Sequence, residues 1–161
     1  MIDRDTSFLR QAPLDELARE IAYRSWAEAC RKAGRTPEYE SFEQQPQLLQ
    51  DSNVDQIRDI PAKLHALGYR MAPLGEVPEA ERVTRFNPEE IEALAYLEHR
   101  RWCEERIRHG WIAGSPRDDE RRIHPDLIPF DELPEQSKEY DRTAAKTILD
   151  ILERAGYAVT R

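Results

Sequence analysis

Between Gly110 and Pro129 the chain reads GWIAGSPRDDERRIHPDLIP, a loop-like stretch that gathers a tryptophan, three arginines, paired aspartates and a histidine. Trp111 follows a helix-ending glycine and stands off the apolar stripe of the helix before it, so its ring is available for stacking. Purines stack on aromatic faces at about 1–3 kcal/mol per base, enough to make one exposed tryptophan a main contributor to a small-molecule site. The alternative is an indole that plugs a gap between packed elements, because tryptophans are usually well buried. From 99 to 124 the chain also places Arg100, Arg101, Arg106, Arg108, Arg117, Arg121 and Arg122 beside His99, His109 and His124. Guanidinium forks bind phosphate in bidentate fashion, so a subset of these can hold an anionic ligand. The rest are expected to be solvated or paired with Glu98, Glu104, Glu105, Asp118, Asp119 and Glu120.

Two residues near this stretch carry further expectations. Helical geometry puts Glu98 on the stripe of Ile91, Leu94 and Trp102, and a partly buried carboxylate requires donors. Those come from an arginine of the partner helix, such as Arg142, or from a ligand's ribose hydroxyls or adenine amine. The run His124-Pro125-Asp126-Leu127-Ile128-Pro129 is held extended by its prolines, a strap that lays His124 against the loop tip while Leu127 and Ile128 anchor in the core. There His124 either donates to a phosphate or locks Arg117-Asp118-Asp119 into a turn. The candidate ligand-binding residues are thus Trp111, Arg117, His124, Arg101, Glu98 and Asp118.

Catalysis has no comparable signature. The chain contains no GxSxG, Walker loop, HExxH or GxGxxG, and no serine or cysteine whose context implies an activated nucleophile. His99 and Cys103 are one helical turn apart, a spacing compatible with zinc, yet no pattern supplies the remaining ligands. No catalytic residue, metal or cofactor is expected.

The elements that position these residues follow from local signals. Asn87-Pro88-Glu89-Glu90 reads as an N-cap, a proline at N1 and an acidic N3, so a helix should run from about 88 to 109 and stop at Gly110. A second enters near Leu133-Pro134-Glu135, carries Tyr140, Ala144, Ile148, Ile151, Leu152 and Ala155 along one side, and ends at Gly156. Aligning Trp26 with Trp102 brings Arg24 onto Arg100, Glu28 onto Glu104 and Gly34 onto Gly110. Both halves also recover Leu-x-x-x-Gly-Tyr, at Leu64 to Tyr69 and at Leu152 to Tyr157. The chain therefore reads as mainly α, with two helix-pair repeats related by a pseudo-twofold: residues 1–74 a degenerate first copy, 75–87 a linker, 88–161 the second copy. The first copy's helices should span about 13–33 and 53–67. The extended segments Tyr69-Arg70-Met71-Ala72 and Tyr157-Ala158-Val159-Thr160 can pair as a two-stranded ribbon, the only sheet. In the first copy Arg35 replaces Trp111 and Ala22 replaces Glu98, which makes it a scaffold half beside a ligand-recognising half, with Tyr39 or Phe42 the substitutes for a second stacking ring.

Taken in order, EHxRW at 98–102, ExR at 104–106, GWxxGxxRDD at 110–119, HPxLxP at 124–129, YDR at 140–142 and the closing GY resemble the RyR domain, the repeat of ryanodine receptors and of many prokaryotic proteins. The resemblance covers roughly residues 91 to 161. It implies a binding or sensing module rather than an enzyme, with adenine-nucleotide-like ligands and a stacking role at Trp111. A signalling or phage-defence role is likewise implied by the family, as is a stand-alone prokaryotic or phage-type protein.

Composition bounds these readings. At 161 residues, 39% hydrophobic and 35% charged, the chain fits one domain or two small packed repeats. Its formal net charge of -8 opposes sequence-independent binding to nucleic acid, which draws affinity from a basic surface, and opposes an anionic membrane. No apolar run approaches a spanning helix, and MIDRDTSFLR has no signal-peptide core, so a cytoplasmic location is expected. Cys30 and Cys103 form no disulfide framework and read as small, partly buried hydrophobes. The expected partner is a nucleotide-like anionic small molecule, with an effector protein or a second copy of the chain as further partners. The competing readings are a protein-interaction module in which the same loop is the hot spot, and a hydrolase of the bound nucleotide.

Overall fold

The computed structural model of the protein describes residues 13–32 and 34–161. It is mainly α-helical, with α1 (Pro13–Lys32), α2 (Gln47–Arg58), α3 (Ile60–Ala66), α4 (Pro88–Arg108) and α5 (Glu135–Arg154). An antiparallel ribbon joins β1 (Arg70–Pro73) to β4 (Tyr157–Thr160), as the two Gly-Tyr segments predict. Positions 1–12 and 33, counted in the first repeat, lie outside the described residues. The chain forms two compact units: one runs to Asn87 and takes in Lys146–Arg161, the other is Pro88–Ala145.

In the first unit the ribbon pairs Arg70 with Thr160, Met71 with Val159, Ala72 with Ala158 and Pro73 with Tyr157. Leu64, Leu152 and Val159 are fully buried around it, with Met71, Ile148 and Tyr157. The segment expected to be a linker packs here as well. Val77 and Phe86 are buried, the Val83 N–H donates to the Val159 carbonyl at 2.8 Å, and the Phe86 ring lies 5.7 Å from Tyr69. The single helix expected over 53–67 is instead two, α2 starting earlier at Gln47 and α3 restarting at Ile60. Pro61 accounts for the break: it has no N–H to continue the α2 ladder and its ring clashes with the carbonyl four residues back, whereas it is tolerated in the first turn of a new helix.

In the second unit α4 begins at Pro88 and its last described helical residue is Arg108, close to both predicted ends. Leu94 and Ala95 are fully buried, and Ala95 packs with Phe130, Leu133 and Ile128. Beyond this point the buried face of α4 turns polar, with Glu98, His99, Arg101 and Glu105 all enclosed. Arg142 of α5 ties the two helices together, its Nε and Nη2 donating to Glu92 of α4 at 2.8 and 3.0 Å. The ribbon is not the only sheet. β2 (Ile112–Ala113) and β3 (Ile123–His124) pair in parallel inside the loop, Ile112 beside Ile123 and Ala113 beside His124. A tight reversal makes this possible: Asp118 and Ile123 exchange backbone hydrogen bonds at 2.9 and 2.8 Å, and the chain returns alongside itself.

Candidate functional site

The end of α4 sets the position of Trp111. Gly110 adopts φ +83, the left-handed conformation that closes a helix, and two backbone bonds complete the cap: Gly110 N–H to the Ile107 carbonyl and Trp111 N–H to the Arg106 carbonyl, both 3.0 Å. This is the Schellman arrangement, which brings the second residue past the helix against the residue five before it. Here those residues are an indole and a guanidinium. The Arg106 Cζ lies 5.3 Å over the Trp111 ring and, one helical turn back, 5.6 Å over the Trp102 ring. At Gly34 the same pair of bonds recurs, with Arg35 N–H to the Cys30 carbonyl, but the residues so joined are an arginine and a cysteine.

Trp111 is not the open stacking face that its place after Gly110 suggested: it is 6% exposed. The guanidinium of Arg106 covers it, and His124 approaches with ring centres 6.1 Å apart. Trp102, expected in the core, is half-buried instead, and the neighbouring buried positions of α4 hold charged side chains. His124 meets it edge-on at 4.8 Å and His99 stacks against it at 5.8 Å. The candidate site is thus a cluster of two indoles, an arginine over both, and a histidine at the rim.

His124 is half-buried, and its Nδ1 accepts from the Asp126 N–H at 3.0 Å, so in the neutral ring the proton resides on Nε2. Burial, then the charges of Arg117 and Arg106, hold its pKa below the ordinary histidine value. Arg117 is exposed at the loop tip, donating to both carboxylate oxygens of Asp119 at 2.7 and 3.2 Å. That bond and the arginine's charge hold Asp119 below the usual carboxylate range, against the opposing effect of burial. Arg106 is half-buried, and desolvation lowers its pKa. Its Nε and the Trp111 Nε1 are buried, and neither has a hydrogen-bond partner.

Arg101 and Glu98 turn inward. Arg101 is 8% exposed and is held between two acidic side chains of its own helix, with Nη2 to Glu98 at 2.7 Å and Nη1 to Glu105 at 2.8 Å. Burial alone would lower its pKa, but the two carboxylates outweigh that and keep the guanidinium charged. Glu98 therefore takes its arginine from three residues along α4 rather than from Arg142, which serves Glu92, Glu135 and Glu139. Asp118 shapes the loop: its Oδ1 accepts from the Arg121 N–H at 3.0 Å within the turn. Tyr39 and Phe42 belong to the first unit, Tyr39 against Trp26 at 6.0 Å and Phe42 beneath Arg19 at 5.8 Å. Trp102 and Arg106 stand in this cluster although neither is among the six candidate ligand-binding residues, and the signal was present: Arg106 is one turn from Trp102 and is the cap partner of the residue after Gly110.

A second polar cluster lies nearby. His99 Nε2 is 2.7 Å from the Ile128 carbonyl and 3.3 Å from Cys103 Sγ, with Asp141 3.6 Å from Nδ1. A carbonyl only accepts, so Nε2 carries a proton and has no lone pair with which to deprotonate the thiol. The Cys103 pKa is moreover pushed up to about 11, by burial and then by the charges of Asp141, Asp126 and Glu104. The histidine ties α4 to the strap, and the sulfur is not an activated nucleophile. Among the described residues no group of three or more His, Cys, Asp or Glu is placed to hold a metal ion, and no helix is long and apolar enough to cross a membrane. The helix, the cap, the histidine strap and the glycine-tyrosine close all fall within residues 83–161, the part of the chain that matches the RyR domain.

Proposed function

We propose that the Pro88–Ala145 unit binds a nucleotide-derived anionic small molecule, of the adenine nucleotide or ADP-ribose type, without changing it chemically. The observation that carries this reading is the convergence of Trp102, Arg106, Trp111 and His124 in one cluster, with the guanidinium over both indoles. Indole and guanidinium planes are both surfaces on which a base stacks. Since the Trp111 ring is enclosed, a ligand ring stacks on the exposed part of Trp102 or on the guanidinium, and Trp111 is the inner wall. His124 Nε2 can donate to a phosphate, and the exposed guanidinium of Arg117 at the loop tip adds a salt-screened attraction for the anion. Arg101, Glu98 and Asp118 support the site through the helix and the loop.

The setting we infer is cytoplasmic signalling or defence. The RyR match supports it, as do the free thiols of Cys30 and Cys103, which suit a reducing compartment. The test is calorimetry of the full chain against AMP, ADP-ribose and cyclic AMP. Saturable binding should weaken in His124→Ala, and Arg117→Ala should lose more affinity at low salt than at high salt, because screening already removes part of the attraction.

One observation favours a second reading. Ile107 and Ile112, on either side of the Gly110 cap, are 62% and 60% exposed, an apolar pair suited to a protein partner. If none of the three nucleotides binds, the nucleotide reading is abandoned for this one.

A further inference from the structure

We propose that Arg106 Nε and Trp111 Nε1 are the pair of donors that hold an oxyanion of the ligand, a phosphate, sulfonate or carboxylate, so that the anion is read inside the cluster rather than at the loop tip. This rests on the site reading above and names the group that the site selects.

Both donors are buried and neither has an acceptor. Buried polar groups are overwhelmingly hydrogen-bonded, and two exceptions on side chains stacked at 5.3 Å mark a place where an acceptor belongs. Trp111 is 6% exposed, so solvent does not supply that acceptor freely. The acceptor must also answer a charge. The two carboxylates whose charges act on Arg106 each receive another arginine: Glu105 receives Arg101 at 2.8 Å, and Asp119 receives Arg117 at 2.7 Å. The remaining charges that act on Arg106, Arg117 and Arg101, are positive. A half-desolvated cation over two indole faces, with its Nε unmatched, gains most from an anion, since charge-assisted bonds are about twice as strong as neutral ones. Arg117, by contrast, is exposed and already paired, which makes it a poor discriminator between an anionic and a neutral ligand.

The experiment compares AMP, adenosine and inorganic phosphate as calorimetric ligands of the full-length chain, then repeats AMP and adenosine with three variants. Arg106→Lys keeps a positive charge but removes Nε, Trp111→Phe keeps an aromatic ring but removes Nε1, and Arg117→Ala tests the loop tip. The wild-type chain should prefer AMP over adenosine by about tenfold or more, the value of a hydrogen bond to a charged group. Arg106→Lys and Trp111→Phe should each shrink the AMP-to-adenosine ratio severalfold, over and above any loss of stacking that both ligands share, while Arg117→Ala leaves most of the ratio. Equal affinity for AMP and adenosine overturns the oxyanion proposal and leaves the nucleotide site standing. So does a preference that survives Arg106→Lys and is abolished by Arg117→Ala. Binding of none of the three ligands overturns the oxyanion proposal, and failure of ADP-ribose and cyclic AMP as well removes the site reading itself. The wild-type comparison of AMP with adenosine involves no substitution, so the proposal stays testable even if a variant fails to fold.

Discussion

Arg106 and Trp111 are joined twice, by a 3.0 Å backbone bond from the Trp111 N–H to the Arg106 carbonyl and by the guanidinium carbon 5.3 Å over the indole. The helix cap and the side-chain stack are therefore one structure. Whatever disturbs the cap also moves the aromatic wall of the site.

The enclosure of Trp111 predicts how its variants separate. Trp111→Ala should lower stability by about 3–5 kcal/mol, since it opens a cavity beneath Arg106. Trp111→Phe should lose distinctly less. Denaturant unfolding of both reads this directly, and an alanine variant as stable as the wild type would mean the ring is solvated.

Glu98→Gln removes the carboxylate that makes the closest ion pair with buried Arg101, at 2.7 Å. The guanidinium stays charged and enclosed, so a loss of about 3 kcal/mol is expected. Arg100→Gln, at an exposed position one residue from Arg101, should change the midpoint very little. Similar midpoints for the two variants would show that Arg101 does not depend on Glu98.

Gly114 has a steric role. A Cβ there would meet Ile123 Cγ2 at 2.7 Å, across the close approach that lets β2 and β3 pair. Gly114→Ala should cost about 1–3 kcal/mol through displacement of β3. The companion substitution Ile123→Ala, which removes the clashing methyl, should recover part of the stability lost on adding the methyl group. Additive losses in the double variant would contradict the contact.

His124 gives a pH signature. Its folded pKa is depressed, so as pH falls through the ordinary histidine range, near 6.5, the unfolded chain takes up a proton that the folded chain resists. The stability from neutral His124 is fully present above that range and is lost as pH drops through it towards the folded value. Thermal midpoints of wild type and His124→Gln, compared between about pH 7.5 and about pH 5, should show a shallower decline in the variant. Parallel declines would assign the pH dependence to other groups.

By itself the sequence determined what acts between neighbours along the chain. Asn-Pro-Glu-Glu starts α4 at Pro88 and Gly110 ends it, because a proline in the first turn and a left-handed glycine just past the last turn are set by local backbone preferences. The two Gly-Tyr segments likewise announce the ribbon. The tertiary structure decided which arginine faces inward and what it meets. Arg100, Arg101 and Arg106 look alike in sequence, yet one is exposed beside Glu104, one is enclosed by Glu98 and Glu105, and one lies across two indoles. That outcome depends on burial and on distances between side chains, which raise or lower the cost of each charge, and residue type alone does not specify them. The same holds for Trp111, whose position after Gly110 is legible as an exit from the helix, while its enclosure comes from Arg106 and His124 closing over it.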